Sequence, residues 1–233
     1  MNKKAVIFDV DGLMLNTEFA WLECWMEIGK KDGVPEFGPL FHKAVGTTGK
    51  DIEDMLAREL PYVSEEIRRE LLKHVREYGS QVIDDRLKTM PGVLELLDYL
   101  DKMGYRIAVA TTTTRELTEH RLKKVGVFDR FEYILCGDEV IKRKPDPEIY
   151  LNVLKAMDLK PEDVLVLEDT GYGVSAAYAA GCDVIMVPSV NEPTKNEEDK
   201  AYAIVNDLFA VQSIIEETMV CVSKRGNRVG NMQ

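Results

Sequence analysis

The sequence has few cysteines and none of the patterns that would place the protein outside the cell or in a membrane. Its four cysteines, Cys24, Cys136, Cys182 and Cys221, form no C-x-x-C pair, and the chain shows neither a signal-peptide pattern nor a long apolar run. These absences argue against a disulfide framework, a cysteine-based metal site and a membrane span. We therefore expect a protein of the reducing cytoplasm.

Positive charge is also scarce. Lysine and arginine number 30 against 41 aspartates and glutamates, which gives a formal net charge of -11. This balance argues against nucleic acid or an anionic membrane surface as the main partner. The three histidines are far apart and match no metal-ligand spacing. An anionic substrate would therefore depend on individually placed lysines or on a bound metal ion.

The apolar pattern divides the chain into two kinds of structure. A short apolar run at Lys4–Phe8 predicts a buried strand, and helical spacing then continues without any strand-like run to about residue 84. From Pro91 onward, short apolar strands alternate with helices as far as Val187. This pattern predicts an α/β fold: a Rossmann-like, doubly wound parallel sheet with an inserted α-helical cap. We expect a core domain at 1–16 and 88–218, a cap domain at 17–87 and a C-terminal tail at 219–233.

Polar residues follow the predicted strands where each strand ends. Asp9 and Asp11 follow the first strand, four threonines follow Ala110, a basic turn ends at Lys144, and Glu168 and Asp169 follow the strand at Val164–Leu167. Ligands of open α/β sheets bind at the carboxyl ends of the strands. A carboxylate nucleophile, a second acid, a hydroxyl and a lysine suit phosphoryl transfer, and Mg²⁺ prefers carboxylate and phosphate oxygens.

The segments FDVDGLMLNT, ATTTT, KPDP and LEDTGYGVSAAYAAG resemble the four motifs of the haloacid dehalogenase superfamily, in the branch that carries a helical cap after the first strand. The resemblance extends from Lys4 to Val187. It implies that Asp9 is the nucleophile and Asp11 the general acid/base. It also implies that the Thr111 hydroxyl and the Thr112 backbone hold the phosphoryl group, and that Lys144 bridges the nucleophile and the phosphate.

The same resemblance implies a Mg²⁺ cofactor. The metal ligands would be the Asp9 carboxylate, the Asp11 backbone carbonyl and the Asp169 carboxylate, with Glu168 behind or beside them. The predicted metal set is therefore Asp9, Asp11, Asp169 and Glu168.

Alternatives remain for three of these residues. Thr111 could instead cap the following helix, and Lys142 and Arg143 compete with Lys144, although the proline after Lys144 favours the last. Glu168 could only orient water, because adjacent residues at a strand end point in opposite directions.

Substrate specificity is predicted to lie in the cap. The loop Val45–Lys50 resembles the family's substrate-facing loop. We expect Thr17, Trp21, Thr48 and Lys50 to bind substrate together with Thr112. The alternative for Trp21 is packing inside the cap.

The branch contains both phosphatases and sugar phosphomutases. The β-phosphoglucomutase pattern places a histidine and an arginine where this chain has Trp21 and Gly49, so we expect a phosphatase. Its substrate would be a small phosphorylated metabolite, of the sugar phosphate kind, and we expect a monomer. The alternatives are a phosphomutase, or a catalytically silent binding protein on the same scaffold.

Overall fold

A computed structural model describes residues 3–47 and 49–217. The strands are β1 (Ala5–Phe8), β2 (Arg106–Ala110), β3 (Tyr133–Leu135), β4 (Val164–Glu168), β5 (Asp183–Met186) and β6 (Ala203–Ile204). The helices are α1 (Thr17–Lys31), α2 (Phe41–Ala44), α3 (Lys50–Glu59), α4 (Glu65–Arg86), α5 (Val93–Lys102), α6 (Arg115–Lys124), α7 (Glu148–Ala156), α8 (Gly171–Ala179) and α9 (Lys195–Lys200). Residues 208–217 are also helical.

The strands form one parallel sheet in the order β3-β2-β1-β4-β5-β6. β1 lies between β2 and β4, with Ile7 opposite Ala108 on one side and Val166 on the other. The strand order reverses at β1, so the loops after β1 and its two neighbours leave a crevice at the carboxyl edge of the sheet. The prediction of a Rossmann-like, doubly wound parallel sheet is confirmed.

Both faces of the sheet are covered, as its uniformly apolar strands predict. Val6 and Phe8 point to one face, where α5 and the helical residues 208–217 pack on them. Ala5 and Ile7 point to the other face and meet α7 and α8. Because both faces are buried, polar side chains of the strands are confined to the strand ends.

The segment between β1 and α5 is helical, as predicted. Helices α1–α4 enclose an apolar cluster of their own, in which the rings of Trp25 and Phe37 stack with centroids 4.3 Å apart. Two details differ from the predicted pattern. Pro35–Leu40 forms a 3₁₀ helix that leads into α2. The apolar spacing also predicts a helix over Thr48–Leu60, and the structure has it as α3, which begins at Lys50. The domain boundaries themselves remain a prediction.

Asn16 joins the two points at which the chain crosses between the sheet and these helices. Its backbone N–H donates to Lys88 O at 3.1 Å, and its side-chain oxygen accepts from Lys88 N at 2.7 Å. Its side-chain nitrogen also donates to Arg86 O at 3.1 Å. The exit and the return of the chain are therefore hydrogen-bonded to each other.

The described chain continues beyond the last predicted strand through α9, β6 and the helical residues 208–217, whereas the predicted tail at 219–233 lies outside the described residues. Among the helices that the structure describes, none is long and apolar enough to cross a membrane.

Candidate active site

A buried lysine connects the ends of three neighbouring strands. Lys144 Nζ lies 2.6 Å from Asp9 Oδ1, 2.6 Å from Glu168 Oε1 and 2.9 Å from Ala110 O. These partners stand at the ends of β1, β2 and β4, which are adjacent in the sheet. The sheet order therefore brings together residues that are far apart in sequence, and the predicted contact between Lys144 and the Asp9 carboxylate is present.

Glu168 is fully buried, and protein donors surround its carboxylate. Oε1 accepts from Lys144 and from the Tyr150 hydroxyl at 2.6 Å, and Oε2 accepts from the Asp169 backbone at 3.1 Å. The start of α8 approaches this carboxylate so closely that a Cβ on Gly173 would lie 1.8 Å from its carbon. Both oxygens of Glu168 are therefore hydrogen-bonded within the protein, and one of them pairs with the Lys144 ammonium.

Burial and charge set the protonation of this group. Burial raises the pKa of Asp9 to about 7, although the adjacent Lys144 ammonium lowers it. For Lys144, burial lowers the pKa, but the carboxylates of Asp9 and Glu168 more than offset this effect, so the pKa lies above its ordinary value. Burial also raises the pKa of the Tyr150 hydroxyl. Lys144 is thus a permanent positive charge beside Asp9.

Asp11 contacts a different set of residues. Its Oδ2 accepts from Thr113 Oγ1 at 2.7 Å and from Thr111 Oγ1 at 3.5 Å, and its Oδ1 accepts from Arg121 Nη1 at 3.0 Å. The spacing of Thr113 and Glu116 predicts a capping box at the start of α6, and this prediction is wrong. Helix α6 has Thr114 at its N-cap without a side-chain cap bond, and Thr113 donates to Asp11 instead.

Asp169 has an unsatisfied oxygen that fits a metal ion. Its Oδ2 accepts from Ser189 Oγ at 2.6 Å, whereas its buried Oδ1 has no hydrogen-bond partner in the described part of the chain. Carboxylate oxygens of Asp9, Glu168 and Asp169 all lie within 4.8 Å of one another. Burial and the nearby Asp9 and Glu168 carboxylates raise the pKa of Asp169 well above its ordinary value. A hard cation would offset this repulsion and bind the unpaired oxygen.

The turn after β1 allows the close approach of Asp169. Gly12 has a φ of +88°, which is a left-handed conformation, and a Cβ at this position would lie 2.1 Å from Asp169 Oδ2. Only glycine satisfies both conditions. The glycine that follows Asp11 is thus required by the close contact between the first and fourth motifs.

A cavity of about 530 Å³ opens in front of these residues. Asp9, Asp11, Lys144 and Asp169 line it from the sheet, and Trp21 lines it from α1. Thr112 also lines it, whereas Thr111 is buried, with 1% of its surface exposed. Four of the predicted catalytic and metal residues, Asp9, Asp11, Lys144 and Asp169, therefore line one space, whereas Thr111 and Glu168 are buried and do not line it.

The other predicted substrate residues are placed differently. Thr17 is fully buried in the first turn of α1, and Lys50 is exposed at the start of α3, so the structure brings neither to the cavity wall. Thr47, within the predicted loop, and Asp51, directly after it, do line the cavity. Thr48 lies outside the described residues.

Two residues of this cavity were missed in the sequence. Glu18 lines it from the first turn of α1, and burial, followed by the charges of Asp11 and Asp9, raises its pKa to about 8. Arg121 is buried and pairs with Asp11. Glu18 directly follows Thr17 at the end of the first motif, and this position could have indicated a place near the site. Nothing in the sequence of the basic helix α6 distinguishes Arg121 from its neighbours.

Comparisons with known proteins agree with this geometry. The profile of the haloacid dehalogenase-like hydrolases matches residues 6–187. The phosphorylated carbohydrates phosphatase of Thermotoga maritima is 34% identical over 207 residues, which cover 87% of this chain and 94% of that protein. A phosphoglycolate phosphatase of Nitrosospira multiformis is 30% identical and covers 92% of this chain and 96% of its own length.

A solved structure is also similar to this chain in fold and in sequence. The crystal structure of a beta-phosphoglucomutase candidate from Thermotoga maritima superposes with a TM-score of 0.73 at 31% identity, covering 92% of this chain and 99% of that one. The fold and the site thus define a hydrolase of the phosphatase kind. The chain belongs to the haloacid dehalogenase-like hydrolases.

Proposed function

We propose that this chain is a Mg²⁺-dependent phosphatase of small phosphorylated carbohydrates that works through an aspartyl-phosphate at Asp9. The observation that carries the proposal is the pairing of Asp9 with a buried, permanently charged Lys144, beside the unpaired oxygen of Asp169. This arrangement combines a nucleophile, a cation for the phosphate charge and a position for a metal ion.

Asp9 is the nucleophile and Asp11 the proton carrier. Lys144 holds Asp9 Oδ1, so the other oxygen attacks phosphorus, the bond from phosphorus to the alcohol oxygen breaks, and Asp11 gives that oxygen a proton. Water then attacks the phosphorus of the aspartyl-phosphate while Asp11 takes its proton. Inorganic phosphate leaves, and the Asp9 carboxylate is restored.

The remaining site residues hold the phosphoryl group and the metal ion. Thr111, with its hydroxyl, and Thr112, with its backbone N–H, hold the phosphoryl oxygens, and Lys144 offsets their charge. Asp9, Asp169 and the Asp11 backbone carbonyl hold Mg²⁺, with Glu168 behind them. A bound Mg²⁺ supplies positive charge to the acid cluster and to the transferring phosphoryl group.

The proposed substrate class rests on the cavity and on the relatives. The cavity is large enough for a monosaccharide phosphate, and Trp21 offers an aromatic surface beside polar groups such as Thr47 and Asp51. One relative is a phosphatase of phosphorylated carbohydrates. We propose that residues 17–87 act as a cap over this cavity and that the enzyme is a monomer. The buried free thiols of Cys24, Cys136 and Cys182 favour a reducing cytoplasm.

The second candidate function is sugar phosphate isomerisation, because a structurally similar chain is a beta-phosphoglucomutase candidate. The mutase pattern has a histidine and an arginine where this chain has Trp21 and Gly49. Glycine cannot hold a second phosphate as the planar fork of arginine does. Water therefore takes the phosphoryl group from Asp9, and hydrolysis is favoured.

The test is a panel of phosphate esters scored for released phosphate with Mg²⁺, beside a coupled assay for conversion of β-glucose 1-phosphate to glucose 6-phosphate. We expect phosphate release from sugar phosphates and little isomerisation. Asp9→Asn should lower turnover at least about 1,000-fold, because the amide is a poor nucleophile of nearly the same shape.

The matched control is Asp129→Asn, which changes an exposed aspartate and should keep wild-type turnover. Circular dichroism checks that both variants fold. Efficient isomerisation without phosphate release would establish the mutase, and full activity of Asp9→Asn would refute the mechanism. No activity in either assay would favour the silent binding protein.

A further inference from the structure

Arg121 is a buried arginine whose guanidinium contacts two carboxylates. Its side chain is 6% exposed, and Nη1 donates to Asp11 Oδ1 at 3.0 Å. On its other side, Nε lies 3.6 Å from Asp84 Oδ1 and is buried without a hydrogen-bond partner in the described residues. A single side chain of α6 therefore bridges Asp11 to a residue on a different part of the molecule.

Asp84 belongs to the last turn of α4, just before the chain returns to the sheet. Its other oxygen, Oδ2, lies 2.5 Å from His120 Nε2. His120 and Arg121 are neighbours on α6, so this core helix holds the end of α4 through both residues. The position of α4 is thus connected to the position of the Arg121 guanidinium.

An arginine suits this bridge for a physical reason. Its planar guanidinium presents donors on two edges and can serve two carboxylates at once, which a lysine ammonium does less precisely. A buried guanidinium is also costly unless it is paired, so Arg121 stays where carboxylates are available. Between Arg121 and Thr113, both oxygens of Asp11 have a donor, which fixes the orientation of that carboxylate.

We propose that Arg121 is a positioning residue that sets the orientation of Asp11 and makes this orientation depend on the placement of α4 through Asp84. The inference rests on the proposed function, in which Asp11 carries the proton of the leaving group. When the last turn of α4 moves, the guanidinium loses or gains its second partner, and the hold on Asp11 changes with it.

The role predicts an effect that depends on the leaving group. A sugar alcohol leaves only with a proton, whereas p-nitrophenolate is a weak base and leaves without one. A misplaced Asp11 therefore slows phosphoryl transfer from a sugar phosphate and spares p-nitrophenyl phosphate. A merely structural role of Arg121 would change both substrates equally.

The experiment compares kcat/KM for glucose 6-phosphate and for p-nitrophenyl phosphate in the Mg²⁺-loaded wild type and in Arg121→Met, Arg121→Lys and Asp84→Asn. For Arg121→Met we expect a fall of at least about 30-fold with the sugar phosphate and less than about threefold with the aryl ester. Arg121→Lys should lie between, and Asp84→Asn should shift the ratio in the same direction by about threefold or more.

The matched control is Arg130→Met. Arg130 also bridges two acids, Asp98 and Asp101. It lies before the amino end of β3, whereas the site lies at the carboxyl ends of the strands. It should leave the ratio of the two kcat/KM values unchanged. If Arg121→Met does not fold, Arg121→Lys and Asp84→Asn decide the question.

Equal falls for both esters would overturn the positioning role. An unchanged ratio in Asp84→Asn would overturn the connection to α4. A wild type that hydrolyses neither ester would refute the proposed function itself, which distinguishes the two failures.

Discussion

Glu18 is a carboxyl group in the wrong environment for a negative charge. Burial, the Asp11 carboxylate and the Asp9 carboxylate raise its pKa from 4.5 to about 8. At pH values between 4.5 and about 8, the folded metal-free protein therefore keeps a proton on Glu18 that the unfolded chain releases. The contribution of Glu18 to the free energy of unfolding is at its maximum below the pKa that Glu18 has in the unfolded chain. It is lost as the pH rises towards 8.

Glu18→Gln should remove this loss. We expect the metal-free variant to be more stable than the wild type at pH 8, by on the order of 2 kcal/mol, and equally stable at pH 4. Thermal denaturation with a chelator at both pH values measures the difference. Glu95→Gln, at an exposed position of α5, serves as the control and should show no pH-dependent difference. An equal effect of Glu18→Gln at both pH values would contradict the prediction.

At the residue scale, the sequence predicted those site residues that stand next to strand ends. Asp9 and Asp169 directly follow the adjacent strands β1 and β4, so the sheet order brings them together. Lys144 lies between β3 and α7 and reaches them from that connection. Arg121 and Glu18 project from helices, and which of them reaches the cavity depends on the rotation of each helix about its axis. That rotation is fixed by tertiary packing, which a single sequence does not display.

Helices α1 and α4 meet at a point where a glycine faces an aromatic ring. A Cβ on Gly79 would lie 2.3 Å from Trp21 Cζ3. Gly79→Ala should therefore push the indole towards the cavity and destabilise the protein by about 1–3 kcal/mol, which is typical of an overpacked contact. We expect a raised KM for sugar phosphates and a lowered melting temperature.

The double variant Gly79→Ala/Trp21→Leu tests the cause, because a smaller side chain at position 21 removes the clash. It should regain most of the lost stability. If it is no more stable than Gly79→Ala, the contact with the indole is not the origin of the effect.

Most of the elements missed in the sequence are short. Helices α1, α4 and α5 and strands β2 and β4 have enough apolar residues in register to show a period. The 3₁₀ helix Pro35–Leu40, α2, α9 and the two-residue strand β6 do not, since two helical turns or fewer, or two strand residues, establish no period. The helical residues 208–217 are a longer element that was not predicted either. β6 forms because Ala203 pairs with Ile185 of the existing sheet, and this is a tertiary effect.

On the scale of the whole molecule, the acid cluster links stability to metal binding. Mg²⁺ that binds only the folded protein should raise the melting temperature by about 5–10 °C at a concentration 100 times its dissociation constant. Asp169→Asn should remove most of this shift, because it replaces the carboxylate whose Oδ1 has no hydrogen-bond partner among the described residues. Differential scanning calorimetry with and without Mg²⁺ measures the effect.

Asp129→Asn, which alters an exposed side chain, should retain the full shift. The prediction fails if Mg²⁺ leaves the wild type unchanged, or if Asp169→Asn responds as strongly as the wild type.

The hydrogen bonds of Asn16 to Lys88 and Arg86 have a consequence for how such an enzyme can be altered. The segment between the two crossings is one continuous stretch of the chain, and its two ends are hydrogen-bonded to each other. A foreign helical segment whose ends lie equally close together can replace it without opening the sheet, since closing such a loop costs little entropy. Recombination at this pair of positions can therefore exchange helices α1–α4, which contribute Trp21 and Asp51 to the cavity wall, while Asp9, Lys144 and Asp169 are retained.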